Sequence, residues 1–341
     1  MIRRFALVTA ALLIAGCSGA SVQSALAPQS SSPLGRAVVP DVGTNLVLNP
    51  GFESPINPGI VTCLTVNPSV GNWLPYAQTN GTLPITENSV VHAGRLSLEV
   101  HTPGAPQGCG GDAIYQDLNA PIPAATSYTF SYWALPSVGE QQQSIFFGWG
   151  HGNGTLVATH DVFVDPTQTK FDAWGQTMIG PAVTYGTWHL FVFSVDAVTL
   201  TATLRVDNQT LGTTPVGAPQ AVQPVTVYIG QGNGAPPSED HFYYDTILLD
   251  ASPHVKKVTP SSVHQGLANQ KVTLAGNNFS PGATVSITGT GVTVASTSIT
   301  KASKITIHVN VDASAPLGAR SITVTDAGGS GTCVGCLSVV Q

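Results

Sequence analysis

Short runs of alternating apolar and polar residues repeat along most of the chain. They are rich in Val, Ile, Thr, Tyr and Phe, and clusters of Gly, Pro and Asn separate them. Clear examples cover residues 127–134, 144–149, 190–195, 201–206 and 243–249. Alternation with a period of two is typical of half-buried β-strands, and no window has a convincing helical period. The pattern therefore predicts an all-β protein built from sandwiches.

The character of the alternation changes near residue 252. Residues 45–251 contain most of the aromatic residues, whereas residues 253–341 alternate Val with Thr and Ser and contain Phe279 as their single aromatic residue. Both segments have lengths that are reasonable for one β domain. We therefore expect two folded units that meet at residues 251–253.

The first 17 residues have the composition of an export signal. A basic start precedes an apolar stretch, residues 5–15, that is too short to span a bilayer. The sequence Ile-Ala-Gly-Cys that ends at Cys17 resembles the bacterial lipobox. The resemblance implies a lipid on the Cys17 thiol and a lipid-anchored protein at the outer membrane or cell surface. Residues 18–44 are small and polar with several prolines, which indicates a flexible stalk.

The chain is poor in charge. Charged residues make up 9% of it and the net charge is −6, against about 25% charged residues in an average globular domain. Thr, Ser, Asn and Gln must supply most of the polar surface, which suits an extracellular β protein. Because basic clusters are missing from the sequence, we expect neither nucleic acid nor an anionic lipid surface as a partner.

Four cysteines remain besides the predicted lipid-bearing one. An even number in an oxidising compartment predicts two disulfides, and local pairing joins Cys63 to Cys109 and Cys333 to Cys336. The Cys-x-x-Cys spacing of the second pair also fits a redox-active motif or half of a metal site. Its flanking residues have strand character, which favours a structural bridge.

Motifs within residues 45–251 follow the strand order of jelly-roll carbohydrate-binding modules. The segments that resemble those modules are 45–53, Trp73, 92–100, 127–133 and 242–249. Residues 186–230 also resemble laminin-G-like and concanavalin-like lectins, with Asp207 and Asn208 in a hairpin turn. Both families are two-sheet jelly rolls, so the resemblance implies a jelly-roll β-sandwich that binds carbohydrate.

Residues 253–341 resemble the immunoglobulin-like IPT/TIG repeat. Residues 276–279 match its turn into a buried Phe, and residues 316–318 match the turn before its last hairpin. The resemblance implies a smaller immunoglobulin-like β-sandwich that acts as a spacer or a protein-contact module.

The jelly-roll resemblance also implies a structural calcium ion as a possible cofactor. In those modules a Glu of the opening motif and an Asp of the last strand help to hold the ion, and the matching residues are Glu53 and Asp245. Carboxylates suit a hard cation, and the first and last strands meet in a closed sandwich. The alternative is that Glu53 caps a turn and Asp245 is merely exposed.

Stacking on sugar rings requires aromatic side chains that are exposed, which Gly-rich turns favour. The candidate ligand-binding residues in such a setting are Trp149 and Trp174, with polar contacts from His151, Asn153 and Gln176. The tryptophans with apolar neighbours, which we expect in the core, are Trp73, Trp133 and Trp188.

Catalysis has little support in the sequence. It contains no nucleophile elbow, zinc-protease motif, P-loop or carboxylate run of sandwich-fold hydrolases. His160, Asp161 and His241 are isolated. The strand of Tyr228 weakly resembles the tyrosine-bearing strand of sandwich-fold polysaccharide lyases, but the Gln-x-His strand that accompanies it in those enzymes is missing from the sequence. We therefore expect a non-catalytic protein that binds polysaccharide or another cell-envelope glycan. The alternatives are an adhesion protein that binds a protein partner, and a polysaccharide lyase or glycoside hydrolase.

Overall fold

A computed structural model describes twelve segments of the chain, which are residues 45–54, 56, 73–76, 85–102, 113–118, 125–136, 143–150, 156–164, 168–173, 176–215, 226–231 and 240–341. The sequence predictions that lie outside these residues concern the export signal and stalk with Cys17, the Cys63–Cys109 pair, His151, Asn153 and Trp174. Among the described residues, no helix is long and apolar enough to cross a membrane.

The first fourteen strands form two antiparallel sheets of seven strands. They are β1 (Leu74–Tyr76), β2 (Ile85–Glu87), β3 (Ser97–Thr102), β4 (Ala113–Asp117), β5 (Tyr128–Pro136), β6 (Gln143–Gly150), β7 (Leu156–Val164), β8 (Gln168–Ala173), β9 (Gln176–Pro181), β10 (His189–Asp196), β11 (Thr201–Val206), β12 (Gln209–Pro215), β13 (Thr226–Gln231) and β14 (Asp240–Asp250). Sheet I has the order β1-β4-β13-β6-β7-β8-β9, and sheet II has the order β12-β11-β10-β5-β14-β3-β2. We call this pair of sheets the N-terminal sandwich.

The core of the N-terminal sandwich lies between sheets I and II. Alternate residues of a strand point to opposite faces, so Phe130 and Tyr132 of β5 and Phe191 and Phe193 of β10 all enter the same core. The rings of Tyr132 and Phe191 stack with centroids 5.3 Å apart. Sheet I contributes Ile229 from β13, which is fully buried.

The remaining eight strands form a second, smaller pair of sheets, the C-terminal sandwich. They are β15 (His254–Thr259), β16 (Ser262–His264), β17 (Gln270–Asn277), β18 (Thr284–Ile287), β19 (Val292–Lys301), β20 (Lys304–Val311), β21 (Gly318–Asp326) and β22 (Gly329–Val340). Their orders are β15-β17-β20-β19 and β16-β22-β21-β18. Phe279 is fully buried in its core, and a disulfide joins Cys333 to Cys336 within β22. The predicted all-β sandwich fold is confirmed.

A buried polar seam joins the two sandwiches, and Asn278 is at its centre. The Asn278 amide nitrogen donates to Asp250 Oδ2 at 3.0 Å, to Asp250 O at 3.1 Å and to Ser252 O at 3.1 Å. Its amide oxygen accepts a hydrogen bond from Thr129 Oγ1 at 2.9 Å. The nitrogen and the oxygen of the Asn278 amide therefore both form hydrogen bonds with residues that precede the C-terminal sandwich.

Further hydrogen bonds continue the seam on either side of Asn278. The Ser127 hydroxyl donates to Phe279 O at 3.0 Å, and the Ser280 hydroxyl accepts from Ser127 N at 3.0 Å. Asp196 Oδ2 accepts from Ala302 N at 2.8 Å. These groups are paired across the seam, and both sandwiches belong to one compact unit.

Candidate functional site

An aromatic cluster lies on the outer face of sheet II. Tyr132 points into the core, so Trp133, the next residue of β5, lies on the opposite face. The His92 ring stacks on Trp133 with centroids 3.9 Å apart, and it meets Trp188 edge-on at 5.6 Å. All three side chains are half-buried. We call His92, Trp133 and Trp188 the aromatic surface.

The aromatic surface differs from the sequence-based expectation, which put Trp133 and Trp188 in the core. Both remain partly exposed, whereas Trp73 is fully buried as expected, and its indole nitrogen donates to Asn49 O at 3.0 Å. Two consecutive aromatic residues of one strand cannot both enter the same core, and this signal in Tyr132-Trp133 was present in the sequence.

A tyrosine and a carboxylate extend the aromatic surface across sheet II. Tyr243 of β14 pairs with Leu135 of β5 on one side and with Glu99 of β3 on the other. Tyr243 is therefore diagonal to Trp133, within reach of a large side chain. Burial raises the pKa of Tyr243 to about 12, and the negative charges of Glu99 and Glu87 add to the rise. The phenol is accordingly a neutral hydroxyl beside two carboxylates at ordinary pH.

Asp245 fixes the loop that carries His92. Its side chain is fully buried, and Asp245 Oδ2 accepts hydrogen bonds from Ala93 N at 2.8 Å and from His92 N at 3.2 Å. Asp245 Oδ1 accepts from the Thr246 hydroxyl at 3.1 Å. Burial raises the pKa of Asp245, although these hydrogen bonds oppose the rise. One buried carboxylate thus holds His92 against Trp133.

Glu53 fixes the far end of the same loop. Glu53 Oε1 accepts from Arg95 N at 2.6 Å and from Leu96 N at 3.3 Å, and Glu53 Oε2 lies 3.3 Å from the Arg95 guanidinium. The hydrogen bond from Arg95 N is the main cause of a lowered pKa of Glu53. Gly94 has a φ of +76°, and a Cβ atom there would collide with Glu53. The loop therefore needs glycine at this position.

The two carboxylates that the sequence assigns to calcium thus already accept hydrogen bonds from backbone N–H groups. A calcium ion takes six to eight oxygen ligands, but N–H donors face Glu53 Oε1 and Asp245 Oδ2. Among the described residues, no three His, Cys, Asp or Glu side chains group in a way that could hold a metal ion. The hydrogen bonds give both residues a role in holding the loop that requires no cation, and calcium binding stays a prediction.

Removing divalent cations tests the two roles of these carboxylates. If hydrogen bonds alone hold the loop, dialysis against EDTA leaves the Tm of the protein unchanged, because no stabilising ligand is removed. Differential scanning calorimetry before and after dialysis measures this. A Tm that falls by several degrees with EDTA and returns with added calcium would establish the calcium site instead.

Two buried nitrogen atoms of the aromatic surface have no hydrogen-bond partner within the described part of the chain. They are His92 Nδ1 and Trp133 Nε1. Burial lowers the pKa of His92 to about 4, so its imidazole is neutral at physiological pH. An unpaired buried polar group costs about 1–3 kcal/mol. His92 and Trp133 therefore each have one nitrogen atom that can still form a hydrogen bond, and both atoms belong to the aromatic surface.

The register of sheet I bears on Trp149, one of the candidate ligand-binding residues. Trp149 of β6 pairs with Val227 of β13, and Val227 belongs to the core. Gln176 is the first residue of β9. The structure does not bring either residue together with the aromatic surface, and their binding role stays a prediction.

Asp161, which is isolated in the sequence, has another aspartate at the directly paired position in sheet I. Asp161 of β7 pairs with Asp172 of β8. Directly opposed like charges destabilise a strand pair, which makes this position unusual.

Comparison with known proteins gives no family assignment. The sequence matches no protein-family model and no curated protein. Among solved structures, the chain is similar to a sialidase, with 9% identity over 53% of this chain and 17% of the sialidase and a TM-score of 0.39. It is also similar to the cellulose-induced protein Cip1, with 14% identity over 52% of this chain and 91% of Cip1 and a TM-score of 0.39.

A third similar structure is the alginate lyase AlyC3 in complex with dimannuronate. The identity is 7% over 45% of this chain and 74% of the lyase, with a TM-score of 0.34. These neighbours act on glycans or are named for one. The chain spans less than a fifth of the length of the sialidase, and similarity at this level carries no argument about a site or an activity.

Proposed function

We propose that this chain binds a glycan through the aromatic surface on sheet II and does not act on it chemically. The observation that carries the proposal is the stacked, half-exposed set of His92, Trp133 and Trp188. Aromatic faces stack on the C–H-rich faces of sugars, and the neighbouring Glu99 and Tyr243 can bond to sugar hydroxyls. A small rotation of the stacked pair would also offer its two unpaired nitrogen atoms to ligand hydroxyls.

The wider setting of the proposal comes from the sequence. Lipid attachment at Cys17 would anchor the protein to the outside of the cell envelope through its lipid alone. The C-terminal sandwich, which resembles an IPT/TIG repeat, would then set the position of the N-terminal sandwich through the polar seam. The proposed partner is a polysaccharide or another envelope glycan.

Alanine variants of the two tryptophans test the proposed site. A glycan array with the full chain, followed by calorimetric titration of the best oligosaccharide, provides the starting affinity. Trp133→Ala and Trp188→Ala should each weaken binding by about 2 kcal/mol, or roughly thirtyfold in Kd, since each removes a central aromatic contact. Circular dichroism confirms that the variants remain folded.

The comparison variant is Trp174→Ala, which changes the candidate ligand-binding tryptophan that follows β8 of sheet I in the sequence. If the ligand binds on sheet II, its affinity equals that of the unchanged chain. The proposal fails if no glycan binds, or if Trp174→Ala abolishes binding while both sheet II variants bind normally.

Glycan hydrolysis is a second candidate function, and the opposed positions of Asp161 and Asp172 favour it. Glycosidases use a pair of carboxyl groups, and the register of sheet I pairs Asp161 directly with Asp172. The same bound oligosaccharide can be assayed for the release of reducing ends. We expect no release, and release that Asp172→Asn abolishes would support hydrolysis instead.

A further inference from the structure

The turn that carries Trp188 is closed by the ring of His189. His189 Nε2 lies 2.8 Å from Thr184 O, and His189 Nδ1 lies 2.5 Å from Asp207 Oδ2. A carbonyl and a carboxylate can only accept hydrogen bonds. Both ring nitrogens must therefore carry a proton for these two bonds to form together, which makes the ring an imidazolium. The Thr187 hydroxyl also lies 3.0 Å from His189 Nε2, so a ring that loses this proton can accept from Thr187 but no longer donates to Thr184 O.

Further hydrogen bonds fix both ends of this turn. The Thr187 hydroxyl donates to Thr184 O at 2.7 Å, on the N-terminal side of Trp188. On the other side, Asp207 Oδ1 accepts from Leu190 N at 2.9 Å, and Asp207 N donates to Leu190 O at 3.0 Å. Trp188 is therefore held between two anchor points, and His189 joins them.

Asp207 is well placed to act as the acceptor. Asp207 and Asn208 form the turn between β11 and β12 with φ values of 49° and 70°, as the sequence predicts for a tight hairpin. This turn brings the carboxylate against the start of β10. On the other flank of His189, β5 presents Ala134, which is uncharged. Among the described groups that face the ring, Asp207 is the charged one, and Thr184 and Thr187 are polar and neutral.

We infer that His189 is a positioning residue for the aromatic surface, so that loss of its second proton releases the Trp188 turn and weakens ligand binding. The inference rests on the proposed function, because it concerns the same site. His189 itself does not belong to the aromatic surface. It acts on Trp188 through the backbone of the turn.

The direction of the pH dependence follows from the surroundings of the ring. Burial lowers the pKa of His189, but the hydrogen bond and charge of Asp207 and the bond to Thr184 outweigh it, so the pKa lies above 6.5. A group with a raised folded-state pKa stabilises the fold fully below its unfolded value and loses this contribution as the pH rises through its folded value. Binding should therefore be strongest on the acid side and weaken as the solution becomes alkaline.

His92 has the opposite behaviour and can be distinguished from His189. Burial lowers its pKa to about 4. Its stabilising effect is present above pH 6.5 and is lost as the pH falls from 6.5 towards 4. A decline in binding on the alkaline side is therefore not caused by His92.

The test measures affinity for the array-selected oligosaccharide from pH 5.5 to 9. For the unchanged chain we expect Kd to rise about fivefold across this range, which corresponds to one lost hydrogen bond of about 1 kcal/mol. Asp207→Asn keeps the size and shape of the side chain and removes the charge that stabilises the imidazolium. Its pH midpoint should therefore move to lower pH.

His189→Gln should bind at the weaker, alkaline level at every pH. The control is His264→Gln, which changes an exposed histidine of the C-terminal sandwich and should leave the profile unchanged. Binding that is independent of pH in the unchanged chain, or a midpoint that Asp207→Asn does not move, overturns the inference.

A ligand-free measurement separates this inference from the proposed function. Acrylamide quenching of tryptophan fluorescence is recorded for the unchanged chain and for Trp188→Phe, and the difference reports on Trp188. We expect this difference to grow as the pH rises. If no glycan binds but the difference grows, the proposed function fails and the positioning role stands; a flat difference overturns the positioning role.

Discussion

Replacing Asn278 by glycine should lower the free energy of unfolding by about 3 kcal/mol. The substitution removes four hydrogen bonds of the seam and leaves Asp250, Ser252 and Thr129 with buried groups that have lost this partner. Asn278 has a φ of 56°, which glycine adopts without strain, so the lost amide accounts for the effect. Urea denaturation followed by circular dichroism measures the change.

The matched control for this prediction is Asn208→Gly. Asn208 also has a positive φ, 70°, but it lies in an exposed hairpin turn. Its replacement should change stability by less than about 0.5 kcal/mol. If both variants lose the same stability, the seam is not the source of the Asn278 effect, and the two sandwiches are joined more loosely than their hydrogen bonds indicate.

Replacing Asp245 by leucine should both destabilise the protein and abolish glycan binding. Leucine has a similar size but no acceptor, so the N–H groups of His92 and Ala93 lose their partner at the outer face of sheet II. The expected loss of stability is about 2 kcal/mol, because two partly buried N–H groups lose their acceptor and an unsatisfied donor costs about 1–3 kcal/mol when fully buried. The loop that places His92 on Trp133 would then move, and calorimetric titration should detect no binding.

Asp245→Asn is the conservative control for the leucine variant. One amide oxygen can still accept from both His92 N and Ala93 N, and the Thr246 hydroxyl can turn to accept from the amide nitrogen. Asp245→Asn should therefore retain most of the stability and the binding. If Asp245 instead acted through its negative charge, as in a calcium site, both variants would lose the same stability and binding, because both remove the charge.

Short local patterns in the sequence predicted much of the fold. Alternation with a period of two predicted the strands. The resemblance to lectins led us to expect the hairpin turn at Asp207 and Asn208, and both residues have a positive φ. The turn that precedes Phe279 and the burial of that side chain were expected from the resemblance to the IPT/TIG repeat, and Phe279 is fully buried. The Cys333–Cys336 bridge was predicted from the Cys-x-x-Cys spacing and the strand character of its flanking residues.

The aromatic surface was not predicted, because it depends on contacts between distant parts of the chain. Asp245 holds a loop that lies 152 residues earlier at Ala93, and no local pattern announces such a contact. The face on which Trp133 lies depends on which neighbour, Tyr132 or Trp133, enters the core. The Gly-rich turn beside Trp149 predicted an exposed side chain, but the pairing of Trp149 with Val227 is visible only in the structure.

The seam was also beyond sequence analysis for a physical reason. Asn278 has the same local signature whether its amide faces water or a neighbouring domain. What distinguishes the two cases is the arrival of Asp250 and Thr129 from the other sandwich.

Indole N–H signals in a nitrogen–proton correlation spectrum test the central claim most directly. During titration with the array-selected oligosaccharide, the Trp133 and Trp188 signals should shift, and the Trp73 signal should stay in place because its indole is buried against Asn49. Shifts confined to Trp149 and Trp174 would contradict the account and place the ligand on sheet I.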